Sequence, residues 1–216
     1  MTSPETPPKI RPTQDRWEKI ARRIRVPLGF VTALLYIFEL TRHTPKPAAI
    51  LCSVLLVLPG LWLRGYAAGY VKKNRELTQT GPYARVRNPL YLGSILIAAG
   101  FALALLSWIV ALALTAMFLI IYVPVIASEE RFLRGAFPDF EAYCRRVPRL
   151  VPRLTAAAPP PLKPDQQNYS EVSSGSFSFA LYLRHREYNA AIGAALLYLC
   201  LLSLHPALAW FAHVAH

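Results

Sequence analysis

Residues 80–93 read TGPYARVRNPLYLG, a polar and aromatic stretch set between long apolar runs. The Gly81-Pro82 pair is a turn signal, since proline pushes the residue before it away from helical geometry. Asn88-Pro89 predicts the start of a helix, because asparagine is a favoured N-cap and proline fits the first helical position. The stretch therefore predicts a turn followed by a helix that enters the next apolar run.

The same stretch carries four side chains that could bind a ligand, namely Arg85, Arg87, Tyr83 and Tyr91. The free N–H groups at a helix start attract carboxylates or phosphates, and arginine forks suit the same anions. Tyrosine rings could hold an aromatic or cationic group. The alternative is an interfacial belt, since tyrosine and arginine are also common at membrane edges.

Composition favours a membrane protein over an ordinary soluble domain. Of the 216 residues, 54% are hydrophobic and only 17% are charged, with a net charge of +12. In a soluble protein this charge would suggest nucleic acid. Because the apolar residues are clumped into long runs, the positive charge is better explained by basic loops on the cytoplasmic side of a membrane. No nucleic-acid partner is therefore predicted. The three cysteines have no disulfide or metal-site spacing, and no metal is predicted.

The apolar runs predict an all-α integral membrane protein with about five transmembrane helices and a cytoplasmic cofactor pocket. Residues 90–126 are too long for one span, so they predict a tight hairpin that turns at Ser107-Trp108. Pro124 would kink its second helix. Glu39 is expected at the membrane interface, and Arg64 either snorkels or faces a polar cavity. The predicted spans are residues 26–40, 48–70, 90–107, 108–126 and 190–212.

Five segments follow from this pattern. Residues 1–25 are a basic polar segment that could form an interfacial helix, and they lack the features of a cleaved signal peptide. Residues 26–70 hold two spans, and residues 71–153 form a catalytic core of loop, hairpin and charged segment. Residues 154–189 are a linker and basic lead-in to the last span, residues 190–216. Gly65 and Gly69 indicate close helix packing.

Lysine and arginine counts orient the chain. Seven precede the first span, five lie in residues 71–89 and nine in residues 127–189, against two in the turn 42–47 and none in the tail. The three basic regions alternate correctly and are predicted to be cytoplasmic, with the N-terminus and the active site. No cleavage signal is seen, which favours a bacterial inner membrane.

A hairpin returns its two ends to the same side of the membrane. Glu129-Glu130, which follow the hairpin, can therefore approach the arginine–tyrosine cluster. Paired carboxylates there could bind ribose hydroxyls or an amine, or act as a base. Alternatively they pair with Arg131, Arg134 or other basic neighbours, and Glu130 and Arg134, four residues apart, could pair on one helix face.

These motifs, in this order, resemble the isoprenylcysteine carboxyl methyltransferase and phospholipid methyltransferase superfamily. The resemblance rests on Gly81-Pro82-Tyr83, on residues 87–93 (RNPLYLG), on Glu129-Glu130 and on downstream Phe137, Tyr143, Arg146, Val147 and Pro148. It covers residues 68–152. It implies an integral membrane enzyme that uses S-adenosyl-L-methionine and belongs to lipid metabolism. Asn88 stands where this superfamily commonly has histidine.

The resemblance also implies the site residues. Arg87, Glu129, Glu130 and Arg146 are the implied catalytic residues, the two arginines near the substrate headgroup. The implied cofactor-binding residues are Arg75, Glu76, Leu77, Thr78, Tyr83, Asn88, Pro89, Leu90, Tyr91 and Glu129.

The acceptor is less well defined than the cofactor. The prenylcysteine enzymes carry a substrate-binding arginine one helical turn before the glutamate, and Val125 stands there in this chain. A phospholipid amine, an isoprenoid or prenylcysteine carboxylate, and a small thiol all stay open as acceptors. Membrane lipids and an amphipathic methyl acceptor are the expected partners, and a homo-oligomer is left open. The alternatives are a non-enzymatic membrane accessory protein and an NADPH-dependent membrane reductase of related architecture.

Overall fold

The computed structural model describes residues 16–71, 77–158 and 176–214, and the regular elements within these ranges are all helical. This confirms the all-helical part of the predicted fold class. In chain order the helices are α1 (Arg16–Arg42), α2 (Pro47–Ala68), α3 (Pro89–Leu105), α4 (Trp108–Met117), α5 (Val123–Ala136), α6 (Phe140–Arg146), α7 (Phe179–His185) and α8 (Tyr188–Val214), with a short 3-10 turn at Gly81–Ala84.

The predicted hairpin is confirmed, and its turn takes two residues. Helix α3 ends at Leu105, and Leu106 adopts the left-handed conformation with φ of 53°. Ser107 then caps α4, its hydroxyl oxygen accepting a hydrogen bond from the N–H of Val110 at 3.4 Å. A left-handed residue at the end of a helix followed by a serine N-cap is an efficient reversal, because it satisfies backbone groups on both sides of the turn.

The second arm of the hairpin contains a π-helical turn where a proline kink was predicted. Helix α4 runs through Phe118–Tyr122 into α5, and the N–H of Val123 donates to the carbonyl of Phe118, five residues earlier. Pro124 follows directly and has no N–H to donate. The wider turn absorbs one extra residue, and α4, the π turn and α5 form one helical run, Trp108–Ala136.

Three glycines bring α2 and α3 together as the most closely packed helix pair. A Cβ on Gly60 would lie 2.8 Å from the carbonyl oxygen of Gly93, and one on Gly100 would lie 2.9 Å from that of Ser53. These contacts are made by backbone, which cannot move aside. Gly65 and Gly69, predicted to mediate close packing, face the C-terminal segment instead, where Tyr182 and Phe177 cover them.

The outer face of the bundle is apolar. Leu51, Leu55, Leu58 and Trp62 form an exposed stripe along α2. Among the described residues, two helices are long and apolar enough to cross a membrane, Pro47–Ala68 and Trp108–Ala136, or three if the bent pair α7–α8 counts as one span. Helix α3 is apolar but shorter. The count of five spans remains a prediction.

Helix α1 joins two segments that were predicted separately. The interfacial helix expected before residue 26 and the span expected at 26–40 lie in one continuous helix that contains Pro27. Near its end Glu39 is buried, only 1% exposed, and accepts a 2.7 Å hydrogen bond from the hydroxyl of Ser107. His43 lies 3.4 Å from the same carboxylate. This polar contact joins α1 to the hairpin turn.

We expect Gly60→Ala to lower the free energy of unfolding by about 1–3 kcal/mol, because the new methyl group meets backbone atoms of α3. The measurement is the thermal unfolding midpoint in detergent micelles. Gly193→Ala is the matched control: nothing lies within 4 Å of its Cβ position, and alanine is the better helix former. Equal changes in the two variants would contradict this account of the packing.

Candidate functional site

The polar residues gather at one end of the helical bundle. The end of α2, the loop before α3, the first turn of α3, the middle of α5 and the break between α7 and α8 all meet there. Arg64 of α2 contacts Glu187 at the break and the carbonyl of Leu90 in α3. Asn88 before α3 reaches Glu130 of α5, with its Nδ2 3.4 Å from Oε1. The predicted approach of the hairpin ends is therefore confirmed.

Glu130 is a buried carboxylate, 5% exposed, and its oxygens accept from three residues. Arg149 makes a two-pronged contact, with its Nε 3.0 Å from Oε1 and its Nη2 close to Oε2. Arg87 places Nη1 3.5 Å from Oε1, and Asn88 adds its amide. The hydrogen bond to the carboxylate in turn raises the pKa of Arg149. A buried charge needs such partners to offset the loss of hydration.

The predicted pairing of Glu130 with Arg134 is wrong. Arg134 pairs instead with Glu141 of α6, on the exposed side of the molecule. Positions four apart on a helix are neighbours, but Glu130 faces inward and the stronger bidentate partner, Arg149, lies nineteen residues further along the chain.

Arg87 belongs to the same buried cluster. Its backbone N–H donates to the carbonyl of Pro148 at 2.9 Å, and its guanidinium contacts Glu130 and the sulfur of Cys144. Burial raises the pKa of the Cys144 thiol although the guanidinium opposes it, so the thiol stays neutral. The buried Nε of Arg87 has no hydrogen-bond partner within the described part of the chain.

Asn88 precedes the first residue of α3, as predicted, but its side chain does not cap the helix. Its amide donates to Glu130 and, at 3.2 Å, to the carbonyl of Arg149. The predicted capping role is therefore wrong, since a buried carboxylate and a backbone carbonyl compete for the same side chain. Pro89 does occupy the first helical position and is buried.

Arg146 is the last residue of α6 and contacts a strap formed by residues 148–158. The strap runs beside residues 84–87, where Arg153 donates to the carbonyl of Arg85 at 3.0 Å and Ala157 donates to that of Ala84 at 2.8 Å. Arg146 fastens it, with Nη1 2.6 Å from the carbonyl oxygen of Ala158 and Nη2 2.8 Å from Oε1 of Gln79. The guanidinium of Arg146 thus contacts the strap, the loop before α3 and the Ala142 carbonyl of its own helix.

Tyr83, Tyr91 and Glu129 form a second part of the site. Tyr83 is buried, and its carbonyl accepts a 2.8 Å hydrogen bond from the hydroxyl of Tyr143. Burial is the main reason that the pKa of Tyr83 is raised, followed by Tyr143, Glu129 and Glu187. The Tyr91 ring meets that of Tyr122 edge-on at 5.5 Å. Glu129 itself is exposed, because it lies about 100° around the helix from Glu130.

The segment leading into the motif is partly described. Leu77 packs against Phe140, Tyr143 and Val147. The hydroxyl oxygen of Thr78 is buried and has no hydrogen-bond partner within the described ranges. Arg75 and Glu76, both predicted cofactor residues, lie outside the described residues.

Sequence reasoning missed Arg149 and Glu187. The one indication of the Glu187 contact was Arg64, a charged residue within an apolar run that would need a partner. Its two nitrogens lie 3.0 and 2.8 Å from Glu187, and it also contacts the Ser94 hydroxyl. Arg64 therefore makes an ion pair within polar surroundings inside the bundle.

Comparison with known proteins supports the resemblance drawn from the motifs. Residues 47–139 match the family model of phospholipid methyltransferases. That match covers α2, the loop, the whole hairpin and both glutamates, and stops before Arg146 and Arg149. No solved structure matches the chain.

Two curated proteins are also similar. The cobalt-zinc-cadmium resistance protein CzcN of Cupriavidus metallidurans is 40% identical over 95 residues, which is 44% of this chain and 43% of that protein. The nickel-cobalt-cadmium resistance protein NccN of Alcaligenes xylosoxydans xylosoxydans is 38% identical over 95 residues, 44% of each chain. The chain thus matches less than half the length of these relatives. Within its described residues there is no cluster of three or more histidine, cysteine, aspartate or glutamate side chains that could hold a metal ion.

The adjacent glutamates allow a matched stability test. We expect Glu130→Gln to lower the free energy of unfolding by about 3 kcal/mol, because Arg149 and Arg87 lose a buried counter-charge. Glu129→Gln changes an exposed side chain on the same helix turn and should cost less than about 0.5 kcal/mol. Denaturant unfolding in mixed micelles measures both. A Glu130→Gln protein as stable as Glu129→Gln would contradict the role given to the cluster.

Proposed function

We propose that this chain is an integral membrane methyltransferase that uses S-adenosyl-L-methionine and acts on a membrane-partitioning acceptor. The observation that carries the proposal is the contact between the start of α3 and the end of the hairpin, where Asn88 reaches Glu130 and the Tyr91 ring meets that of Tyr122, inside the region that matches the phospholipid methyltransferase model. Five spans and a cytoplasmic pocket at a bacterial inner membrane are part of the proposal, with membrane lipids and an amphipathic acceptor as partners.

The chemistry of the donor set fits S-adenosylmethionine, which combines an adenine, ribose hydroxyls, an amine, a carboxylate and a sulfonium. The exposed carboxylate of Glu129 suits the hydroxyls or the amine, and the rings of Tyr91 and Tyr122 suit the flat or cationic parts. The Thr78 hydroxyl oxygen and the Arg87 Nε are buried and lack hydrogen-bond partners among the residues that the structure describes. Buried polar groups are normally paired, so unpartnered ones beside a candidate site are consistent with a ligand.

The cofactor, when bound, supplies a methyl group that is already activated by its positively charged sulfur. The chain's own task is then to align the acceptor and exclude water. Glu129 is the residue proposed to take a proton from an amine or thiol acceptor. Glu130 is proposed to hold the fold of the site, since its oxygens already accept from Arg149, Arg87 and Asn88.

The distribution of arginine supports the proposed orientation. Arg85, Arg131, Arg145 and Arg153 are exposed near the end of the bundle that carries the candidate site. The opposite end, near Glu39 and Ser107, carries few cations. A basic end favours the cytoplasmic side, where anionic lipid headgroups attract it.

A second candidate is a membrane accessory protein without enzymatic activity. It is favoured by the names of the two relatives, which describe resistance to metal ions rather than a reaction. The two candidates differ in whether the purified chain binds S-adenosylmethionine.

We expect purified protein in detergent to bind S-adenosylmethionine saturably in a calorimetric titration. Tyr91→Ala and Glu129→Gln should weaken binding about tenfold or more, because each removes a group proposed to contact the cofactor. Glu141→Gln is the control, since its carboxylate lies in an exposed ion pair with Arg134. Wild-type protein that shows no saturable binding would favour the accessory role.

We expect labelled methyl transfer to an amine or thiol acceptor rather than to a carboxylate, since Val125 replaces the arginine that would orient a carboxylate. Lipid extracts, small thiols and prenylcysteine acceptors would be compared, with identification of the products. With an amine or thiol, Glu129→Gln should lower kcat about 100-fold, because the proton loses its acceptor. A carboxylate product formed at the wild-type rate by Glu129→Gln would overturn this assignment.

A further inference from the structure

The C-terminal segment, residues 176–187, lies outside the region that matches the family model and docks on the last two turns of α2. The Phe177 ring covers Gly69, where a Cβ would lie 2.2 Å from it, and stacks on Tyr66 at 6.2 Å. Tyr182 covers Gly65, 3.3 Å from its Cβ position. The glycines leave room for these rings, so the segment fits into the surface of α2.

The same segment satisfies the free carbonyls at the end of α2. The N–H of Ser178 donates to the carbonyl of Gly69 at 2.9 Å. Nδ1 of His185 lies 3.0 Å from the carbonyl oxygen of Ala68 and must carry the proton, since a carbonyl only accepts. The last carbonyls of a helix have no partner within it, so the segment caps α2.

Glu187 lies in the break between α7 and α8, where the helix axis turns by 62° and Arg186 adopts the left-handed conformation with φ of 54°. Its side chain is 13% exposed and that of Arg64 is 21% exposed. The break therefore presents a carboxylate to the inside of the bundle. Non-helical backbone at membrane depth occurs where it is buried in protein or lines a cavity.

The N–H groups of Arg64 donate to two parts of the chain. Nε and Nη2 contact Glu187, while Nη1 donates to the carbonyl of Leu90 at 3.3 Å and to the Ser94 hydroxyl. Leu90 and Ser94 are on the first two turns of α3, next to Tyr91. One guanidinium thus ties the C-terminal segment to the helix start that carries the candidate cofactor residues.

We propose that the Arg64–Glu187 ion pair is a positioning device through which residues 176–187 hold the first turn of α3 in its binding geometry. The C-terminal segment is on this account a wall of the active site. The inference rests on the proposed function for its effect on binding, but the mechanical link between Glu187 and α3 is independent of it.

The test uses full-length protein in detergent and the variants Glu187→Gln and Arg64→Gln, alone and combined, with Glu141→Gln as the matched control. The first readout is hydrogen exchange of the unliganded protein. We expect the amides of residues 91–94 and of Ser178 to exchange about tenfold faster in Glu187→Gln, and to be unchanged in Glu141→Gln. Unchanged exchange at residues 91–94 would overturn the link.

The second readout is the dissociation constant of S-adenosylmethionine together with the KM and kcat of methyl transfer. We expect about tenfold weaker cofactor binding and a higher KM in Glu187→Gln, with kcat at saturation nearly retained. The double variant should be no worse than the single ones, since residues in one network are not additive. Equal wild-type and Glu187→Gln binding would overturn the positioning role.

The two proposals fail differently. If wild-type protein binds no S-adenosylmethionine but residues 91–94 still respond to Glu187→Gln, the proposed function fails and the mechanical link is supported. If the cofactor binds and those residues do not respond, the proposed function is supported and the link is overturned. Purification by size exclusion and unfolding midpoints verify that each variant is folded.

Discussion

A single buried carboxylate holds together the polar end of this protein. Taking an ionised glutamate out of water is costly unless strong donors replace the lost hydration, and Glu130 obtains them from three residues in two separate parts of the chain. Asn88 and Arg87 come from the loop before α3, and Arg149 from the strap that follows α6. The requirement for these donors explains why the loop, the hairpin and the strap meet where they do, and why Asn88 is not available to cap its own helix.

Local signals in the sequence predicted the local structure well. Pro89 fixed the start of α3, the serine at 107 marked the reversal, and the apolar runs predicted an all-helical bundle. These features depend on a few neighbouring residues. Glu129 and Glu130 were predicted only as a pair. Which of them is buried depends on the rotation of the helix about its axis, and the sequence near the two glutamates does not determine that rotation.

Long-range pairings could not be predicted in the same way. A charge in an apolar run needs a partner, so the sequence indicated that Arg64 would have one. Nothing in the neighbouring sequence identified that partner as Glu187, 123 residues away. Glu130 had a candidate partner, Arg134, four residues along its helix, but in the structure it pairs with Arg149 in the strap. In both cases several residues of suitable charge were available, and the three-dimensional path of the chain decided between them. Arg75 and Glu76 stay predictions, as does the number of spans.

The π-helical turn at Phe118–Tyr122 has a consequence for chemistry several residues away. An α-helix advances about 100° per residue, so a turn that absorbs one extra residue rotates everything beyond it by about that amount. If the run Trp108–Ala136 were α-helical throughout, Glu129 would take roughly the inward angular position that Glu130 has now. Glu130 would turn away, and Arg149 would no longer meet it. The widened turn next to Pro124 therefore sets the rotation of α5, and with it which of the two glutamates is buried against arginines and which is exposed.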